Sequence, residues 1–179
     1  FFSRRFTNAP LDVIYEENTT GTALYVYGPS GRIAKQTIVN GETNTFYYTQ
    51  DHLGSTRLVT DENGTHLTSV KYYPFGRTHE SLGAHEPYLF TGKELDETNL
   101  YYFGARYYDP ETGRFLSRDP YTYLPDDPRT IGKPLMDCTK WRTDPQRFER
   151  FSYARNNPLK YADPWGERIC HNIGPGECD

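Results

Sequence analysis

Apolar and polar residues alternate along the first half of this chain in short runs, and each run stops at a turn. Residues 33–39 and 43–48 flank Asn40-Gly41, and a second pair of such runs flanks residues 61–65. Alternation with a period of two predicts half-buried strands. Asn-Gly supplies the positive backbone angles that a two-residue hairpin turn requires. The N-terminal half is therefore predicted to form consecutive β-hairpins.

The turns also recur at regular intervals. Gly31, Gly54 and Gly76 are 23 and 22 residues apart, and each follows aromatic residues and leads into a strand that opens near an arginine. A period of this size is typical of repeat architectures. A hairpin in such a repeat buries its faces only against its neighbours. We therefore predict an all-β fold, a spiral of consecutive β-hairpins with an irregular C-terminal core or plug region.

The C-terminal half is less regular. Residues 100–108 are a candidate strand, and residues 121–145 are rich in Pro, Asp and Thr without clear periodicity, which predicts a surface insertion. A short helix is expected around residues 144–153, because Asp144 can cap it and Pro145 suits its first position. The predicted segments are an N-terminal strand or linker (1–21), hairpins and core (22–120), the insertion (121–145), a C-terminal core motif (146–167) and a tail (168–179).

Composition narrows the class of protein. The 179 residues carry a net charge of -4, and 16 Tyr and 10 Phe raise the aromatic share to 16%. Disordered chains are poor in aromatics, which argues against wholesale disorder. The dispersed basic residues and mild acidity give no sign of nucleic-acid binding. No apolar run approaches the roughly 20 residues of a membrane helix, and since the chain begins at Phe1, the absence of a leader says nothing about export.

The three cysteines leave two interpretations open. Cys170 and Cys178 flank a Gly-Pro-Gly turn that would allow a disulfide in an oxidising compartment. The alternative is a metal site formed by these two with His171 and Cys138, although the paired short spacings of zinc modules are absent. We predict no cofactor and no metal.

Two surface features depend on where the chain is found. Asn18 and Asn63 begin Asn-x-Thr triplets, which are glycosylation acceptors only in an exported protein. Four Tyr-Tyr pairs are expected to alternate between core and surface along strands, with a carbohydrate-binding ladder as the alternative. The pairs lie at 47/48, 72/73, 101/102 and 107/108.

Several motifs resemble those of one known family. They are Asp51-His52-Leu53-Gly54-Ser55-Thr56-Arg57, Tyr73-Pro74-Phe75-Gly76, Tyr88-Leu89-Phe90-Thr91-Gly92-Lys93 and the blocks 100–120 and 153–166. With them the chain resembles the RHS/YD-repeat family, specifically its repeat-associated core domain, over residues 22–167. The resemblance implies a hollow shell of spiralling hairpins, found in bacterial toxins and in extracellular teneurins. It also implies an extracellular or cell-surface location.

The resemblance further implies chemistry. In the toxin members, the core domain closes one end of the shell and acts as an aspartic autoprotease that releases a variable C-terminal segment. By motif, the catalytic carboxylates are Asp119 and Asp163, the supporting arginine is Arg106, and the cut falls near Glu167. Glu167 stands where the toxin members usually have leucine, and the segment between the two carboxylates is longer than in that family. Asp-Pro also opens ordinary turns, and this chain has five such dipeptides.

Two functions are consistent with these features. The first is an encapsulating, self-processing module whose partner is an upstream RHS/YD-repeat chain. The second is a non-enzymatic extracellular structural or adhesion protein that joins identical copies through exposed strand edges, or that binds a surface glycan or protein.

Overall fold

The computed structural model describes residues 4–8, 12–29, 31–84, 86–119, 146, 149–167 and 170–171. In this part of the chain there are fourteen β-strands and short 3-10 turns, and no α-helix. The all-β prediction is confirmed. Of the expected helix around residues 144–153, residues 144 and 145 lie outside the described residues, Gln146 belongs to a 3-10 turn, and residues 149–153 form turns and an isolated bridge. Next to that bridge, Phe115 donates its N–H to the carbonyl of Phe151 at 2.9 Å.

Eight strands form one antiparallel sheet in which every neighbour in space is also the next strand in sequence. This is the arrangement of consecutive hairpins that the sequence predicts. The strands are β1 (Arg4–Asn8), β2 (Asp12–Asn18), β3 (Gly21–Gly28), β4 (Gly31–Val39), β5 (Glu42–Gln50), β6 (Thr56–Asp61), β7 (His66–Tyr72) and β8 (Thr78–Gly83).

Two smaller sheets complete the described fold. The strands of the second are β9 (Glu94–Leu95), β10 (Tyr101–Tyr102), β11 (Tyr107–Asp109) and β12 (Arg114–Phe115), again as a run of neighbours. The third sheet pairs β13 (Tyr161–Ala162) with β14 (Cys170–His171). These short strands carry the loops that form the candidate site.

The large sheet is interrupted by changes of register. Five of its seven strand pairings contain a shift of the kind that a β-bulge produces, for example between Val26 and Tyr27. A bulge bends its strand and increases the local twist. Each of these shifts is therefore expected to bend its strand locally.

One turn geometry recurs at five points along the chain. In each, the first residue donates its N–H to the carbonyl of the fifth, and the fourth donates to the carbonyl of the first. The fourth residue lies in the left-handed region, where Gly or Asn is favoured. Three of the turns begin with an aspartate whose Oδ1 accepts two further backbone N–H groups. The turns span Asp51–Ser55, Asp61–Thr65, Tyr73–Arg77, Leu89–Lys93 and Asp96–Leu100.

Residues 100–108 do not form the single strand expected of them. They form β10 and β11 with a four-residue connection between, because Gly104 has a φ of 95° that reverses the chain. The N–H of Phe103 donates to the carbonyl of Arg106 at 3.0 Å and closes the connection. The chain reversal at Gly104 places Arg106 at the end of the connection between the two strands.

The core of the C-terminal part consists mainly of aromatic rings. Most of the ring pairs meet edge-on or tilted, arrangements that aromatic pairs prefer; Phe103 and Phe115, for example, have centroids 5.6 Å apart, whereas Phe90 and Tyr108 are stacked. Burial raises the pKa of the buried tyrosine hydroxyls, which therefore stay neutral. The rings that are at most 2% exposed belong to Phe90, Tyr101, Phe103, Tyr108, Phe115 and Tyr153.

The Tyr-Tyr pairs alternate as expected. Tyr101 and Tyr108 are buried, whereas their neighbours Tyr102 and Tyr107 are 42% and 45% exposed and contact each other across β10 and β11. The rings alternate because successive side chains of a strand point to opposite faces of its sheet.

The segment around Tyr88 folds back against the large sheet. The Arg32 guanidinium carbon lies 3.7 Å from the centroid of the Tyr88 ring, and Arg32 itself is 4% exposed. The carboxylate of Glu86 accepts hydrogen bonds from Lys35 at 2.9 Å and from the Tyr48 hydroxyl at 3.0 Å. A cation–π contact and a buried ion pair therefore hold the segment that leads into the second sheet.

The recurring turn yields a stability test with a matched control. Gly76 and Gly64 occupy the same turn position, with φ of 86° and 80°. A Cβ on Gly76 would lie 2.4 Å from the Phe90 ring, whereas one on Gly64 meets nothing within 4 Å. Gly64→Ala should cost about 1 kcal/mol for its backbone strain, and Gly76→Ala a further ~1–3 kcal/mol for overpacking. Equal losses in urea unfolding would contradict the packing of Phe90 against this turn.

Candidate functional site

The site is organised around Arg106, the last residue of the hairpin connection, directly before β11. Its residue exposure is 3%, and its guanidinium carbon lies 3.6 Å from the centroid of the Phe115 ring. A buried guanidinium must find hydrogen-bond acceptors, because an unpaired charge in the interior is very costly. The chain supplies those acceptors from three separate segments.

Two of the acceptors are backbone carbonyl oxygens. Arg106 Nε donates to the carbonyl of Gly166 at 2.6 Å, and Nη1 donates to the carbonyl of Arg150 at 3.1 Å. The Arg150 carbonyl also accepts the N–H of Asp119 at 3.0 Å. The guanidinium therefore fixes where residues 150 and 166 lie relative to the second sheet.

The other two acceptors are carboxylates. Nη2 of Arg106 donates to Asp119 Oδ2 at 3.1 Å and to Asp163 Oδ2 at 3.1 Å. Because both oxygens bond the same nitrogen, they are separated by no more than twice that distance. The two aspartates, 44 residues apart in sequence, meet on one guanidinium.

The environments of the two carboxylates differ. The side chain of Asp119 is 28% exposed, whereas that of Asp163 is 2% exposed. Asp163 lies near Tyr153; burial first, and then the charge of Asp163, raises the pKa of this tyrosine, which stays neutral. One carboxylate thus faces solvent and the other is enclosed.

Asp163 also binds the peptide bond between Gly166 and Glu167. Its Oδ1 accepts the N–H of Glu167 at 2.9 Å, while the carbonyl of the same peptide bond accepts from Arg106. The two polar groups of this bond are therefore held by opposite charges. The N–H of Ala105 donates to the carbonyl of Trp165 at 3.2 Å and anchors the same turn.

The residue before this bond has little room. Gly166 has a φ of 69°, and a Cβ there would lie 3.1 Å from Phe103 Cβ and 3.3 Å from the Arg106 nitrogen. Both the positive φ and the close approach favour glycine. This glycine lets the Gly166 carbonyl reach Nε of Arg106.

The structure brings together the residues that the sequence resemblance singled out: Arg106, Asp119, Asp163 and the backbone of Glu167. Sequence reasoning did not find the Gly166 and Arg150 carbonyls or the Phe115 ring. The glycine in Asp-Pro-Trp-Gly was the available signal for a close backbone approach at residue 166. Nothing in the sequence pointed to residue 150.

The cysteines and the two glycosylation acceptors are the other predicted sites. Cys170 contributes backbone to β14, but its side chain and the whole of Cys138 and Cys178 lie outside the described residues. The disulfide and its metal alternative therefore stay predictions. Asn18 and Asn63 are exposed, and their glycosylation also stays a prediction.

The described residues show neither a clustered metal site nor a membrane-spanning helix. No group of three or more His, Cys, Asp or Glu side chains in this part of the chain is placed to hold a metal ion. None of its secondary-structure elements is a helix of the length and apolarity needed to cross a membrane.

Several known proteins are similar to this chain over most of its length. Residues 4–159 match the family described as the teneurin YD-shell. Toxin subunit YenC1 of Yersinia entomophaga is 41% identical over 126 residues, which cover 66% of this chain and 11% of that protein. The tRNA3(Ser)-specific nuclease WapA of Bacillus spizizenii is 32% identical over 173 residues, which cover 93% of this chain and 7% of that protein.

Solved structures agree with the sequence comparison. The Tc holotoxin pore of Photorhabdus luminescens contains a chain that superposes with a TM-score of 0.64 at 25% identity, covering 92% of this chain and 7% of that one. The present chain thus spans only a small part of its relatives. It is a segment of a β-hairpin shell, and it belongs to the RHS/YD-repeat family through its match to the teneurin YD-shell.

The role of Arg106 as the organising cation is testable by a conservative change. Arg106→Lys keeps the charge but loses the fork of donors that serves four acceptors, so it should destabilise the protein by about 3 kcal/mol. Arg114→Lys is the matched control, because Arg114 is exposed and its nitrogen lies 3.7 Å from Glu149; it should cost less than about 0.5 kcal/mol. Urea unfolding measures both, and comparable losses would refute the role.

Proposed function

We propose that this chain is the core end of an encapsulating YD-repeat shell and that it cuts its own Gly166–Glu167 peptide bond with Asp119 and Asp163. The observation that carries the proposal is the position of that bond, whose carbonyl is held by Arg106 at 2.6 Å and whose N–H is held by Asp163 at 2.9 Å. The match to the teneurin YD-shell supports the shell, and the relatives with toxin names support its association with a toxin.

The difference in burial between the two carboxylates suggests which acts as general base and which as general acid. Asp119, the more exposed of the pair, is suited to take a proton from an attacking water molecule. Asp163, in its protonated form, is suited to give a proton to the Glu167 nitrogen as the bond breaks. Water adds its oxygen to the Gly166 carbon, one proton passes to Asp119, and one leaves Asp163 for the nitrogen.

Arg106 has two functions in this scheme. Its Nε already lies on the carbonyl oxygen, which becomes an oxyanion in the tetrahedral intermediate, and a preorganised donor there stabilises that charge. Its single positive charge balances one carboxylate of the pair. Two carboxylates this close do not both ionise cheaply, so the pair is suited to keep the one proton that the reaction needs.

The upstream partner would bind at the edge of the large sheet. Among the described residues, β1 pairs only with β2 and leaves its other side for a further strand. A preceding hairpin of the same repeat fits that edge, because each described strand of the sheet pairs with the next along the chain. We propose that the complete shell is extracellular or displayed at a cell surface, as the relative named salivary gland surface protein 1 of Aedes aegypti suggests.

Denaturing mass spectrometry of the purified full chain tests the cut. We expect the wild type to give two fragments separated between Gly166 and Glu167, and Asp119→Asn and Asp163→Asn each to slow the cleavage by at least ~100-fold. Asp109→Asn is the matched control: it also precedes a proline, but its carboxylate caps a turn by accepting from Glu111 N–H and the Thr112 hydroxyl. It should cleave like the wild type.

The same experiment can refute the dyad. A wild-type chain that stays intact would show that the site does not cut. Cleavage that persists in both active-site variants would assign the reaction to other residues. Circular dichroism of each variant should match the wild type, so that loss of cleavage is not loss of fold.

A second function, a non-enzymatic structural or adhesion protein, is favoured by the same β1 edge. An edge strand presents unpaired N–H and C=O groups that recruit strands from other chains. This function predicts dimers or filaments whose mass rises with protein concentration in sedimentation experiments. A monodisperse monomer over about a hundredfold range of concentration would count against it and leave the encapsulating function in place.

A further inference from the structure

The charges around the Gly166–Glu167 bond have a consequence for what happens after the cut, and this inference rests on the proposed self-cleavage. The carbonyl side of the bond lies on a cation, Arg106, and the N–H side lies on the carboxylate of Asp163. Both contacts exist while the chain is intact. Hydrolysis would give each bonded group a full charge of the sign opposite to that of its partner.

The chemistry of hydrolysis creates two ions at these positions. Water adds across the C–N bond, its hydroxyl to the Gly166 carbon and its hydrogen to the Glu167 nitrogen. The new carboxylic acid then loses a proton and the new amine gains one. Gly166 ends as a carboxylate facing the Arg106 guanidinium, and Glu167 begins as an ammonium group facing the Asp163 carboxylate.

We infer that the site that cuts the bond is also a binding site for both new chain ends, and that it holds the two fragments together after the cut. In the intact chain each contact joins a charged side chain to a neutral peptide group, whereas in the cut chain both partners are charged. Two full opposite charges attract each other strongly in a buried site, where the effective dielectric is low. The pair of new charges adds nothing to the net charge of the site.

Burial makes these contacts effective. Arg106 and Asp163 both have side chains that are 2% exposed, so salt and solvent screen their interactions weakly. The backbone of β14, beyond the cut, also pairs with β13, before it. The downstream segment is therefore held by two different means, a pair of ion contacts and a strand pairing.

If the products stay bound, each site catalyses one cleavage only. A site that binds its own products as strongly as its substrate stays occupied, so each chain cuts once and does not cut a second chain. Release of the downstream segment is then a separate step, controlled by whatever breaks the ion pairs. Protons are the simplest such agent.

The ion pairs predict how retention depends on pH. In acid, the carboxylates of Gly166 and Asp163 take up protons and both pairs are lost. In alkali, the new ammonium loses its proton above the ordinary range of an α-amino group, about 7.7–8.0, and the second pair is lost. Among the described residues, the other ionisable groups that bear on the site include Asp119, Tyr153, the side chain of Glu167 and the more distant Asp51, which acts on Tyr153.

The experiment uses the full-length wild-type chain after self-cleavage, kept under reducing conditions so that no disulfide joins the fragments. Denaturing mass spectrometry records whether the bond is cut, and native mass spectrometry at a series of pH values records whether the fragments stay together. We expect retention to be greatest near neutral pH, with release at least about tenfold faster in acid and in alkali, as the loss of a charge-assisted hydrogen bond implies. Asp109→Asn is the control, because it removes a carboxylate that caps a turn away from the cut and should leave the profile unchanged.

The outcomes separate the two proposals. Two results would overturn the binding of the new ends and leave the self-cleavage standing. In the first, the fragments of the cut chain separate at neutral pH. In the second, their retention does not change with pH, which would assign retention to the β13–β14 pairing. A pH profile that disappears in Asp109→Asn would also overturn the binding of the new ends. A wild-type chain that stays uncut overturns both proposals.

Discussion

The need to pair one buried positive charge determines how the C-terminal part of this molecule is arranged. The Arg106 guanidinium stacks on Phe115 and donates to four acceptors on three segments of the chain. An unpaired guanidinium in such a place would cost several kcal/mol. The segments that carry Asp119, Arg150 and the Asp163–Gly166 turn are therefore tied to one point. The two carboxylates lie close together as a result of this pairing, although like charges repel.

Packing in the rest of the C-terminal part stabilises the structure in which Arg106 is buried. The strands of the second sheet are only two or three residues long, too short to define a sheet by their hydrogen bonds alone. Aromatic rings, most of them edge-on or tilted toward one another, pack against these strands, and the five-residue turn Asp96–Leu100 sets the return from β9 to β10. Tyrosine suits this arrangement because its ring is buried while its hydroxyl can still reach a carbonyl, as the Tyr108 hydroxyl does with Phe75 at 2.7 Å.

Local features were predictable from the sequence and distant ones were not. Asn40-Gly41 and the glycine period located the hairpins of the large sheet, because turn chemistry and alternation are local properties. The expected strand at residues 100–108 was wrong because Gly104 reverses the chain there, and a single glycine in a strand pattern permits either outcome. Periodicity could not bring Arg106 to Asp163, which is 57 residues away in sequence. Only the resemblance to a family connected them, and it gave no position for the Gly166 carbonyl or for Arg150.

The contact at residue 167 has a consequence for what can be attached to this domain. Asp163 binds the residue after Gly166 through its main-chain hydrogen, a group that nineteen of the twenty common amino acids possess. The glycine side of the junction, by contrast, is sterically restricted. A shell built this way can accept unrelated downstream sequences at the same junction, provided that they do not begin with proline.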